Sequence, residues 1–221
     1  HRLAGALVVA LALLSAGHVV AHLQHLDHPL RPVFHLDLER TAPALFSAAL
    51  LLAAAAVALR CRRAPVSLGR RGLALALTFG VMGIDEVVGV HEALELRTGV
   101  DWQVLYAPLL VLAALAWLAF ALTAARRADL AAVAGWVVGA GAWGTAQTLE
   151  ALQWQGDVQR PGYLLMMPVE EVLEMVGSGA LLLTLVLVHR TWRAAGRQPA
   201  QAGPGRQPPS STPPGTGAAG S

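Results

Sequence analysis

The sequence predicts an all-α, polytopic membrane bundle of about six transmembrane helices with both termini cytoplasmic. Three observations carry that expectation. Hydrophobic residues make up 55% of the 221 residues against 14% charged, and mean hydropathy is +0.53. The apolar residues fall in long blocks. The basic residues, all of them arginine, are concentrated in alternate loops.

Six blocks are long enough to cross a hydrocarbon core of about 30 Å with about 20 helical residues. They are Leu3 to Leu23, Ala42 to Leu59, Gly72 to Glu95, Val104 to Ala125, Ala131 to Gln153, and Tyr163 or Pro168 to His189. The first, following Arg2 and reaching Ser15-Ala16-Gly17, also resembles a cleavable signal peptide. Its apolar continuation through Val19, Val20 and Ala21 favours a retained helix. The second and fourth carry no ionisable side chain in their interiors and read as supporting helices.

The third block is the informative one: Asp85, Glu86, His91 and Glu92 interrupt it. Counted from Arg70 and Arg71, the uncharged run Gly72 to Ile84 rises about 20 Å, so Asp85 falls short of the far interface. At that depth a carboxylate faces protein or a watery cavity and marks function unless a partner neutralises it. On a continuous helix Asp85, Gly89 and Glu92 share one face, with Gly89 leaving room between the acids.

From about Gly196 the chain is Gly, Pro, Ser, Ala and Gln with six prolines, a composition that cannot bury a core. The expected organisation is a transmembrane domain over residues 1–192 and a disordered cytoplasmic tail over 193–221.

Twelve of the 16 arginines lie at the N-terminus, in the second and fourth loops and after the last helix, whereas Arg31, Arg40, Arg97 and Arg160 occupy the opposite loops. Positive charge accumulates on the cytoplasmic side, so the first, third and fifth loops are expected to be exoplasmic in a cell membrane. The pI of about 9.3 reflects this topology and gives no reason to propose nucleic acid as a partner. Cys61 is the only cysteine, so any site draws on oxygen and imidazole.

In that orientation polar residues of four helices point toward the outer side. His18, His22 and His25 form one stripe on the first helix, and Trp143, Gln147, Glu150 and Trp154 one face of the fifth. The sixth opens with Pro168, then Glu170, Glu171 and Glu174. Seven carboxylates, Asp85, Glu86, Glu92, Glu150, Glu170, Glu171 and Glu174, have no arginine at matching depth and must take up protons or hold cations.

The expectation drawn from this is a metal-dependent enzyme acting on a lipid or lipophilic substrate. One or two divalent ions of iron, manganese or zinc would be held by His18, His22, Asp85, His91, Glu92, Glu170 and Glu174, with Glu86 or Glu171 as general base. Alternatives are a divalent-cation or proton-coupled transporter, a haem-binding electron carrier with axial histidines, and a structural membrane protein. Plainer readings stand beside these. Pro168 as the first residue of a helix would leave Glu170 and Glu171 to complement its dipole, and His18 and His22 could be neutral rings bonded to a neighbouring helix. Trp102, Tyr106, Trp154, Tyr163 and Trp192 read as interfacial anchors. No HExxH, P-loop, Gly-x-Ser-x-Gly or Cys-x-x-Cys motif is present.

Overall fold

A computed structural model describes residues 2–23, 31–36, 40–63, 68–155 and 158–196. Among them the chain is almost entirely helical: α1 (Arg2–Leu23), α2 (Arg31–Phe34), α3 (Ala42–Cys61), α4 (Gly69–Val88), α5 (Val90–Thr98), α6 (Trp102–Arg126), α7 (Leu130–Gln153) and α8 (Tyr163–Ala195). A two-residue antiparallel pairing, β1 (Trp154–Gln155) with β2 (Val158–Gln159), joins α7 to α8.

Long helices α3, α4, α6, α7 and α8 pack in a closed ring, in the order α3, α4, α6, α7, α8 and back to α3. Helix α1 lies outside it against α8 and α2. Two sides of the ring close tightly because glycines let backbones approach. A Cβ on Gly139 of α7 would stand 2.6 Å from Leu181 Cγ of α8, and one on Gly177 of α8 3.0 Å from the Gly139 carbonyl oxygen. Gly83 of α4 meets Leu51, Leu52 and the Ala48 carbonyl of α3 in the same way.

Capping fixes the helix starts. Asp101 accepts a hydrogen bond from the Gln103 amide at 2.7 Å to open α6, and Asp129 accepts one from the Ala132 amide at 3.1 Å to open α7. Asp129 also receives the Trp192 indole N–H at 2.8 Å, and the Arg127 guanidinium sits 4.0 Å from the centroid of the same indole. This end of the ring is filled by Phe79, Phe120, Trp136 and Trp192, all buried.

One expectation about the helices is corrected, and of two starts expected for the last helix one is found. The third block is not one continuous helix: α4 ends at Val88, Gly89 takes a left-handed conformation (φ 65°, ψ 42°), and α5 leaves at 70° to α4. The Asp85 carboxylate then accepts the His91 backbone N–H at 3.2 Å, giving the new helix an acceptor for one of its free amides. Asp85 and Glu92 therefore stand on two helices rather than one face. The last helix begins at Tyr163, not at Pro168, because left-handed Gly162 (φ 96°) starts it and its carbonyl accepts the Leu165 and Met166 amides. Glu170 and Glu171 consequently lie two turns inside α8, where the terminal dipole no longer accounts for them.

Four helices, α1, α3, α6 and α8, are long and apolar enough to cross a membrane, and the bent pair α4 and α5 makes five if it is one span. Helix α7 is as long, at 24 residues, but carries Gln147, Glu150 and Gln153 in its last turns. Helix α8 runs to Ala195, three residues past the expected domain limit, and the tail over 197–221 lies outside the described residues.

Candidate functional site

At the end of the ring away from the aromatic plug, the helices enclose a chamber of about 300 Å³. Alternating helix direction explains its composition: the end of α4, the start of α6, the end of α7 and the start of α8 all arrive there. Eight of the chain's 14 acidic side chains line it, namely Asp85, Glu86, Glu92, Glu95, Glu150, Glu170, Glu171 and Glu174, together with one imidazole, His91. Among the described residues neither arginine nor lysine contributes to the wall.

The deepest acids, Glu170 and Glu174, are 7% and 9% exposed. Neutral donors meet them. Gln153 Nε2 donates to Glu170 Oε2 at 2.9 Å, and Gln147 Nε2 to Glu174 Oε1 at 3.1 Å. Glu150 accepts the Trp102 indole N–H at 2.7 Å and the Gln103 amide at 3.3 Å. Such bonds satisfy lone pairs without cancelling charge. Asp85 is met by an ionisable group: its Oδ2 lies 2.7 Å from His91 Nδ1, while its Oδ1 accepts the Tyr106 hydroxyl at 3.2 Å.

Aromatic faces complete the wall. Trp102 packs tilted against His91 with centroids 5.1 Å apart and edge-on to Tyr106 at 5.7 Å. Trp143 lines the inner part and anchors its indole N–H on Ser178 Oγ at 3.1 Å, below which the buried plug begins. At the other end Glu92, Glu95 and Trp154 are exposed, which places the mouth among them.

A family model described as a domain of unknown function (DUF8692) matches residues 4–189, a stretch that contains every chamber residue. The chain belongs to the DUF8692 family. No curated protein and no solved structure matches it.

Of the residues singled out by sequence, this DUF8692 chain brings Asp85, Glu86, His91, Glu92, Glu150, Glu170, Glu171 and Glu174 onto one cavity. His18 stands apart from it. Its ring is buried, Nδ1 accepts the Leu36 amide at 3.2 Å, and its face is met edge-on by His35 at 5.5 Å. The His22 side chain lies outside the described residues, as do His25, His28, Asp27, Asp37 and Glu39. Among the described residues no three His, Cys, Asp or Glu side chains form a group able to hold a metal ion. Of the set expected as metal ligands (His18, His22, Asp85, His91, Glu92, Glu170 and Glu174), the last five line the chamber, and His18 is bonded to the Leu36 amide away from it.

Helix α6, whose block Val104 to Ala125 was expected only to support, supplies Tyr106 from within that block and Trp102 and Gln103 just ahead of it to these networks. The four-residue spacing of Trp102 and Tyr106, which puts both on one face, was the available signal. Nothing in the sequence singled out Gln103 or Gln153.

Proposed function

We propose that this DUF8692 protein is a multi-pass membrane protein whose chamber, opening on the exoplasmic side, binds a small organic cation. Insertion is supported by the four long apolar helices and the bent pair. Helix α7 would make the sixth span, because its neighbours in the ring, α6 and α8, are both apolar enough to cross. Orientation is supported by charge. Arg60, Arg62, Arg63, Arg70, Arg71, Arg126, Arg127, Arg190 and Arg193 gather at the helix ends away from the chamber.

The observation that carries the ligand class is eight carboxylates around one chamber whose wall, among the described residues, holds His91 as its one basic side chain. Bound protons or a bound cation must offset that charge in a poorly solvated site. A volume of about 300 Å³ falls at the lower end of small-molecule sites. Trp102, Tyr106, Trp143 and Trp154 in the wall offer the ring faces that attract ammonium groups. A desolvated metal ion would instead need ligands converging on one point, and among the described residues no such group is present.

A proton-coupled role is the second reading, favoured by the connected chain from Tyr106 through Asp85 to His91. Titration calorimetry on the full chain in detergent tests the first. Tetramethylammonium and 1,4-diaminobutane are the probes, and at least one should bind saturably, with affinity falling about tenfold or more in Glu174→Gln, some 1.4 kcal/mol. Absence of binding by both ammonium probes, or stoichiometric uptake of manganese, iron or zinc in their place, would overturn it.

A further inference from the structure

We propose that α5 is a hinged flap over the mouth of the chamber, latched shut by His91 on Asp85. The inference rests on the reading above in one respect only: a flap matters if the chamber admits a ligand.

Four observations meet in this nine-residue helix. First, it is bounded on both sides by glycines in the left-handed region, Gly89 at φ 65° and Gly99 at φ 66°. Glycine moves between positive and negative φ at little steric cost, so these are the two positions where a rigid helix can swing without distorting a side-chain-bearing backbone. Around Gly99 there is open space, with nothing within 4 Å of where a Cβ would stand.

Second, α5 has no buried residue, and Leu96 on it is 87% exposed. No core contact has to break for it to move, which places it at the low-stability end of the fold. Its packing partner is α6. Third, it forms part of the chamber wall at the mouth, through His91, Glu92 and Glu95.

Fourth, the polar ties between α5 and the body of the protein converge on His91. The ring nitrogen Nδ1 lies 2.7 Å from Asp85 Oδ2, the backbone N–H is donated to Asp85 Oδ1 at 3.2 Å, and the ring leans on Trp102. Asp85 belongs to the last turn of α4, within the ring, and is held from α6 by Tyr106. The latch therefore joins the moving helix to a fixed one across the Gly89 hinge. Release of the Asp85 to His91 pairing would leave α5 held by its contacts with α6 and by the two glycine junctions.

Spin labels on Leu96→Cys of the flap and Leu152→Cys of α7, both exposed positions, report the opening in the full chain; native Cys61 is buried and silent. With His91 intact, one narrow distance distribution is expected. In His91→Ala and in His91→Phe a second, longer distance should appear. Both substitutions sit on α5, which contributes nothing to the buried core, so both proteins should fold. Unchanged distributions in both would overturn the flap. So would opening in His91→Ala but not in His91→Phe, because the ring packing on Trp102, rather than Asp85, would then be what holds it. No cation is present in this measurement. A flap that opens in a protein that binds no ammonium sinks only the functional reading, and ammonium binding with a fixed α5 sinks only the flap.

Discussion

Gln153 at the end of α7 and Glu170 in α8 form a buried pair, 2% and 7% exposed, with the amide Nε2 donating to the carboxylate Oε2 at 2.9 Å. Helix α7 ends at Gln153 and α8 begins only at Tyr163, so this bond ties the connection between the two helices to the chamber wall.

Replacing Gln153 by Leu is expected to lower stability by about 1–2 kcal/mol, since a buried acceptor loses a donor and gains none. Thermal unfolding in detergent reads it. The companion Glu170→Gln should be milder, because an amide oxygen can still accept from Gln153 Nε2. Equal losses in the two variants would contradict the view that charge at Glu170 is a burden offset by neutral donors.

The α7 to α8 crossing supplies a prediction with an internal control. A methyl at Gly139 would meet Leu181 Cγ at 2.6 Å and Cδ2 at 2.7 Å, whereas one at Gly141 on the same helix meets nothing within 4 Å. Gly139→Ala should destabilise by about 1–3 kcal/mol through overpacking, and Gly141→Ala should be neutral or stabilising by up to about 1 kcal/mol from helix propensity. Chemical or thermal unfolding of the two proteins side by side decides it, and the sign of the difference is the diagnostic quantity.

Asp129 caps α7 and at the same time accepts from Trp192 of α8, while Arg127 covers that indole. Asp129→Ala removes the cap and strands a partly buried indole N–H, for an expected cost of about 1–3 kcal/mol. Asp129→Ser should recover part of the loss because its hydroxyl can still accept from the Ala132 amide. Melting temperature and tryptophan emission on the three proteins separate the cap from the indole contact.

Much of the helical framework was legible because charge is rare in this chain and each interruption is conspicuous. The acids of the third, fifth and sixth blocks were visible for that reason. Gly89 was not. A glycine inside an apolar helical pattern reads equally as a packing notch or as a stop, and only the left-handed φ, with Asp85 accepting from His91, decides between them. Pro168 misled in the opposite direction, since a proline suggests a helix start, yet the apolar run from Tyr163 already forms the first turn. The histidine stripe was visible on α1, but the bond that occupies His18 comes from the Leu36 backbone, a contact between elements that periodicity does not encode. Trp102 and Tyr106 fit the pattern of interfacial anchors, and their bonds to Glu150 and Asp85 depend on which helices are neighbours in the ring.

The membrane reading makes a prediction about sidedness at two exposed positions flanking α6. Leu96, 87% exposed, precedes that helix and Leu130, 75% exposed, follows it. If α6 crosses the bilayer with the arginine-rich end inside, Leu96→Cys should react with a membrane-impermeant maleimide added to intact cells, and Leu130→Cys only after the membrane is permeabilised. The background is silent because Cys61 is fully buried. Charge argues for this sense of insertion: Arg126 and Arg127 stand at the Leu130 end, and Arg97 alone stands near Leu96 among Glu92, Glu95 and Asp101. Labelling of both positions from outside would mean that α6 does not span, and labelling of Leu130→Cys alone would invert the topology and turn the mouth of the chamber toward the cytoplasm.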